Sequence, residues 1–91
     1  VIMEASAAWK SLFEGWSDSI PRHGMLVTKT GEPVPFNNFA VSGGLLLLER
    51  DKPDQYQTRK VIVPYEQIAF LRMSSTEDLA RFQVMGFQAT L

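Results

Sequence analysis

The chain contains no cysteine. That absence excludes a disulfide framework, a thiolate nucleophile and every cysteine-ligated metal site, and it fits a reducing, cytoplasmic setting. Histidine occurs once, at His23. A general base or a metal ligand needs partners within reach, and inside Pro21-Arg22-His23-Gly24 this imidazole reads as part of an exposed linker. Long hydrophobic runs are missing too: none is longer than Leu45 to Leu48, far below the ~20 apolar residues of a spanning helix, so no membrane partner is expected. The first residues do not read as a secretory signal, lacking its basic start and apolar block. Gly43-Gly44 is not a phosphate loop, because no lysine and no helix follow it. Neither sign of charge dominates. Nine Lys or Arg against ten Asp or Glu give a formal net charge of −1, whereas nucleic-acid domains usually carry a strong basic excess. With these absences no catalytic residues, no metal site and no cofactor are expected, and the protein reads as a non-enzyme.

What is present is a chain of 91 residues, 45% hydrophobic and 21% charged, the composition of one ordinary globular domain spanning 1–91. A domain of this size buries roughly 60 to 65% of the surface its unfolded chain would expose, which leaves a thin stability margin that oligomerisation would widen. Trp9, Leu12, Phe13 and Trp16 follow the i, i+3, i+4, i+7 stripe of a helix over about 4–16 with one buried face, opposite Lys10, Ser11 and Glu14. The same aromatics could stack a base, but at helical spacing they read as core. Gly15 weakens the last turn and Pro21 excludes helix at the residue before it.

Five short apolar runs follow, predicted as strands over about 25–30, 34–41, 45–50, 59–65 and 68–73, separated by glycine, proline or charged turns. Within 34–41 the alternation places Val34, Phe36, Asn38 and Ala40 on one face, and Pro35, Asn37, Phe39 and Val41 on the other. Asn37 and Asn38 are disfavoured in such a strand, which points to a bulge or a function there, with a bulge the commoner reason, and the two nearby prolines predict an edge or a bulge. Four consecutive leucines, Leu45 to Leu48, predict burial on both faces of their strand. Only Glu66 and Gln67 separate the last two strands, a spacing for a 3₁₀-like turn. Ser75, followed by Thr76, Glu77 and Asp78, reads as the N-cap of a short C-terminal helix over about 76–86, with Leu79, Phe82 and Met85 on its apolar side and Gly86 as its stop.

A helix, then five short strands, a turn at Ser42-Gly43-Gly44 and a two-residue joint between strands four and five together resemble the Sm-like (LSm) small β-barrel family over about Trp9 to Met73. Gly31-x-x-Val34 stands where that family has its glycine and long bent second strand. Val61-Ile62-Val63-Pro64-Tyr65-Glu66-Gln67-Ile68-Ala69-Phe70-Leu71 matches the apolar spacing of its second motif. The resemblance implies a mainly β fold: an Sm-like or SH3-like five-stranded small barrel, closed or nearly so, with an N-terminal and a short C-terminal helix.

The resemblance also implies a homo-oligomeric ring of roughly five to seven subunits, joined through strands four and five, with Val61, Val63, Ile68 and Phe70 as interface candidates. Ser42, Gly43, Gly44, Pro64 and Tyr65 fall at the family's pore and turn positions. There the family's RNA-contacting Asp-x-x-Met-Asn is replaced by Ser42-Gly43-Gly44-Leu45-Leu46, and its Arg-Gly pair by Pro64-Tyr65. The groups that clamp a base are therefore missing, which favours a scaffolding or protein-binding role over RNA. Arg50, Lys52, Arg59 and Lys60 flank the third turn as a candidate basic rim that a ring would multiply. A monomeric SH3-like interaction domain would show nearly the same strand pattern.

Overall fold

Alanine-rich from Ala5, with its large apolar residues on one stripe, the first segment forms helix α1 over Ala5–Glu14 in the computed structural model, which describes residues 4–74 and 76–88. Gly15 closes the helix by donating its N–H to the Ser11 carbonyl at 3.0 Å. Trp16 then turns inward, and its indole Nε1–H donates to the Ile20 carbonyl at 3.1 Å, so the ring is buried with its polar group satisfied.

The β portion consists of six strands: β1 Gly24–Thr28, β2 Pro33–Phe36, β3 Asn38–Ser42, β4 Leu45–Glu49, β5 Lys60–Pro64 and β6 Ile68–Arg72. They form two antiparallel three-stranded sheets, ordered β2-β1-β6 and β3-β4-β5. Strand pairing does not close them into a barrel. The sheets pack on one another through Leu26, Val34 and Ile68 from the first and Phe39, Leu46, Leu48 and Val63 from the second, and Phe13, Trp16 and Ile20 join the same core.

The run predicted over 34–41 is two strands. Val34 and Phe36 are buried, and so is Phe39, not Asn38 or Ala40. Asn37 lies between the two strands, outside either ladder, and shifts the alternation by one position. The polar pair makes that shift tolerable: the Asn37 N–H donates to the Glu49 carbonyl at 2.9 Å, and Asn38 Oδ1 accepts the Phe39 N–H at 2.8 Å. The chain thereby passes from one sheet to the other.

The leucine run differs from expectation in its second face. Leu46 and Leu48 have no solvent exposure, whereas Leu45 is 46% exposed and Leu47 half-buried, because no element among the described residues packs over the outer side of β4. Between β5 and β6 lies the expected 3₁₀ turn, Tyr65–Gln67. The C-terminal element is not an α-helix over 76–86 but a 3₁₀ helix, Leu79–Met85, with Asp78 as its N-cap residue. Three residues per turn set Leu79, Phe82 and Met85 in line, a spacing that suits the tighter winding. The expected cap at Ser75 lies outside the described residues. No helix among those residues is long and apolar enough to cross a membrane.

Candidate functional site

Three surfaces carry the candidate residues, and the first is a pair of strand edges. In the sheet orders β6 lies at one margin and β5 at another, and only the 3₁₀ turn separates them in sequence. Of the four predicted interface residues, Val63 and Ile68 are buried in the protein's own core and Val61 is half-buried against it, so none of these three presents its side chain freely. Phe70 is exposed, with the Arg72 guanidinium 5.3 Å from its ring centre. Ile62, absent from the predicted set, is 64% exposed. Strict alternation signals it: with Val61 and Val63 turned inward, the residue between them must face out.

The β2 margin is built differently. Thr28 donates its N–H to the Glu32 carbonyl at 3.0 Å, so by alternation Leu26↔Val34 and Gly24↔Phe36 are the hydrogen-bonded pairs of the β1–β2 ladder. Pro33 and Pro35 therefore stand where a backbone N–H would point away from β1, and they remove both outward donors. A second strand cannot zip onto this edge.

The pore and turn candidates are partly brought together. Ser42 ends β3 and pairs with Leu45, and Gly43 takes a φ of 57°, which a turn of this kind demands of glycine. The Tyr65 N–H donates to the Gly44 carbonyl at 3.2 Å, tying the β3–β4 turn to the β5–β6 joint. Gly44, Leu45, Pro64 and Glu66 then border an open groove of about 560 Å³ with Ser6 and Lys10 of α1. The Tyr65 side chain is not offered to a ligand: it is 3% exposed and lies 6.3 Å from Phe13. Its hydroxyl is buried and has no hydrogen-bond partner among the described residues. Burial, reinforced by the Glu14 carboxylate, pushes the Tyr65 phenol above its ordinary pKa.

The predicted basic rim is divided. Lys60 pairs with Glu49 at 3.7 Å, and Arg59 is exposed beside it. Arg50 donates its Nε–H to the Lys52 carbonyl at 3.2 Å and lies close enough to Asp54 to stabilise that carboxylate. Asp54 itself organises the loop: one of its oxygens accepts the Tyr56 N–H at 2.8 Å and the Thr58 N–H at 2.9 Å. Those two amides, Thr58 first, hold the Asp54 carboxyl below the ordinary range. Arg50 and Lys52 line a groove with Pro35, Phe36 and Asn37 that also contains Asp51. Across Pro35 and Phe36 a second groove adds His23, Arg72 and Ser74. None of Arg50, Lys52 and Arg72 forms an ion pair among the described residues. The sequence separates Arg72 from Arg50 and Lys52, and the grooves they line meet at Pro35 and Phe36 only because β2 pairs with β1.

Among the described residues no group of three or more His, Asp or Glu is placed to hold a metal ion. Comparison with protein-family models, with curated proteins and with solved structures finds no match for this chain.

Proposed function

We propose that this protein is a non-enzymatic Sm-like small barrel that assembles with copies of itself into a ring and serves as a binding or scaffolding module. In this reading β2 and β3 are the two halves of one bent strand, giving the five-stranded arrangement. The supporting observation is the asymmetry of the strand margins. Pro33 and Pro35 shut the β2 edge, the usual protection against unwanted pairing, while β5 and β6 keep their edges and set Ile62 and Phe70 outward at their centres. An edge left open in a chain that closes another is suited to a partner strand. β5 of one copy would pair with β6 of the next, a heterologous contact that closes only as a ring. Another protein would then meet the outer face of β4 at Leu45 and Leu47.

Size exclusion with light scattering tests this. The expected result is a uniform multimer that falls to a monomer in Ile62→Lys with Phe70→Lys, with the circular dichroism unchanged because both residues are exposed. A strict monomer for the parent protein overturns the ring and leaves a single SH3-like interaction domain.

A second reading, nucleic-acid binding, is supported by the two adjoining grooves around Pro35 and Phe36, with Arg50, Lys52 and Arg72 outside any ion pair among the described residues. Fluorescence titration with a single-stranded oligoribonucleotide should show affinity falling steeply with salt, and a shallower salt slope in Arg50→Gln with Arg72→Gln. Absence of binding at low salt removes this reading.

A further inference from the structure

The loop that joins β4 to β5 sets two like charges opposite one another. The Arg50 N–H donates to the Arg59 carbonyl at 2.7 Å, which extends the antiparallel ladder one step beyond Glu49↔Lys60. Residues facing each other in such a ladder send their side chains to the same face. Glu49 and Lys60 meet there as an ion pair, whereas at the next step two guanidinium groups emerge together, an arrangement that is destabilising by itself. Neither Arg50 nor Arg59 forms an ion pair among the described residues, and neither does Lys52. Asp54 lies near enough to Arg50 to feel its charge, but its accepting oxygen is engaged by the Tyr56 and Thr58 amides.

The far end of the loop holds an aromatic ring in water. Tyr56 is 77% exposed, while the backbone around it is tied down. The Asp54 N–H donates to the Thr58 carbonyl at 3.2 Å, and the Asp54 carbonyl accepts the Gln57 N–H at 2.9 Å. Gln57 is held at a φ of 64°, a left-handed conformation that costs a non-glycine residue energy and persists only where its surroundings impose it. A ring on a loop that is already ordered gives up little freedom when another group packs on it. Tyr56 stands three residues before Arg59, so their Cα atoms lie within about 11 Å of each other.

We infer that residues 50–59 hold one unpaired nucleotide of a single-stranded nucleic acid, with Arg50 and Arg59 taking its phosphate and Tyr56 stacking on its base. An anion between the two guanidinium groups relieves their repulsion, and a flat base covers the exposed ring. The carboxylates of an acidic peptide would satisfy the arginines but offer Tyr56 no flat face. The inference rests on the nucleic-acid reading above and adds the contact that selects single strands, since a base stacked inside a duplex has no free face. Arg50 and Lys52 already line the groove beside Pro35 and Phe36, and the loop carries that cationic surface on to an aromatic side chain.

Fluorescence anisotropy of a labelled single-stranded oligoribonucleotide, titrated with the full chain at low salt, tests this. Tyr56→Ala should weaken binding roughly five- to a hundredfold, the range for removing one base-stacking aromatic. Its salt slope should match the parent's, because stacking releases no counterions. Tyr56→Phe keeps the ring and should bind like the parent. Arg59→Gln should weaken binding and make the slope of log affinity against log salt shallower by about 0.7, the share of one phosphate on a single strand. Both side chains are exposed, so circular dichroism should not change. A duplex of the same sequence should bind the parent more weakly than the single strand does. A parent that binds the oligoribonucleotide with no loss in Tyr56→Ala, with an equal loss in Tyr56→Phe, or with equal affinity for the duplex overturns the stacking contact and leaves the groove reading standing. A parent that binds no oligoribonucleotide at low salt removes both.

Discussion

Phe13 of α1 meets Phe39 of β3 edge to face, with ring centroids 5.0 Å apart and planes at 84°. The contact joins the helix to the second sheet, and Trp16 makes a similar contact with Phe39 at 5.1 Å. Arg22 covers the remaining side, its guanidinium 4.4 Å from the Phe39 ring centre. Phe39 can occupy this position only because the extra residue at Asn37 turned it inward.

Replacing Phe13 by Ala should therefore cost about 3 to 5 kcal/mol, the range for deleting a fully buried phenylalanine. A domain holding about 5 to 15 kcal/mol in total would be left marginal or unfolded. Urea denaturation followed by tryptophan fluorescence measures this directly, and Phe13→Leu should recover most of the loss. An unchanged midpoint in Phe13→Ala would mean that α1 does not contribute to the core.

Gly24, which reads as linker in the sequence, begins β1, and a Cβ there would stand 2.5 Å from the Arg72 carbonyl oxygen of β6. Backbone cannot yield as a side chain does. Gly24→Ala should lower the melting temperature clearly by forcing β1 and β6 apart. Gly44→Ala meets nothing within 4 Å and serves as the control, with an expected change within about 0.5 kcal/mol. Equal melting temperatures for the two variants would contradict the close approach.

The hydroxyl of Tyr65 is buried without a hydrogen-bond partner among the described residues, a desolvated polar group without return. Tyr65→Phe should raise stability by about 1 kcal/mol. The phenol also sets an alkaline dependence. Its pKa lies above the ordinary value of 10.0 in the folded protein, so at high pH the unfolded chain loses this proton first. Stability conferred by Tyr65 is present below pH 10.0 and declines as the pH rises from there through the folded-state pKa. Stability curves at neutral and alkaline pH, compared between parent and Tyr65→Phe, should show the parent losing more.

Asp54 acts in the opposite sense. Its carboxyl is held below the ordinary 3.8, so its contribution is present above that value and disappears as pH falls through the folded-state pKa. In Asp54→Ala the amides of Tyr56 and Thr58 lose their acceptor, and hydrogen exchange at these two positions should accelerate while β1 and β4 amides are unaffected. Protection unchanged at Thr58 would show that the loop does not depend on this side chain.

Much of the architecture is legible in the residues. The i, i+3, i+4, i+7 stripe locates α1, and glycine, proline and charged turns separate the strands to within one or two residues at most ends. The two-residue joint at Glu66-Gln67 marks the 3₁₀ turn, because so short a link admits little else. The candidate surfaces are less legible. Val63 and Ile68 read as apolar strand residues available to a neighbour, yet alternation and packing direct them inward, while Ile62 and Phe70 remain outside. Arg72 and His23 lie far from Arg50 in sequence and share a surface only because β2 pairs with β1.

The sequence by itself determined the class of elements, their order and the absence of cysteine chemistry, since these follow from local periodicity, turn residues and composition. Tertiary structure alone decided the phase change at Asn37, the bare outer face of Leu45 and Leu47, and the closed β2 edge beside the open edges of β5 and β6. Each of those depends on which strand pairs with which and on what covers a face. Such contacts join residues distant along the chain, and local patterns carry no record of them.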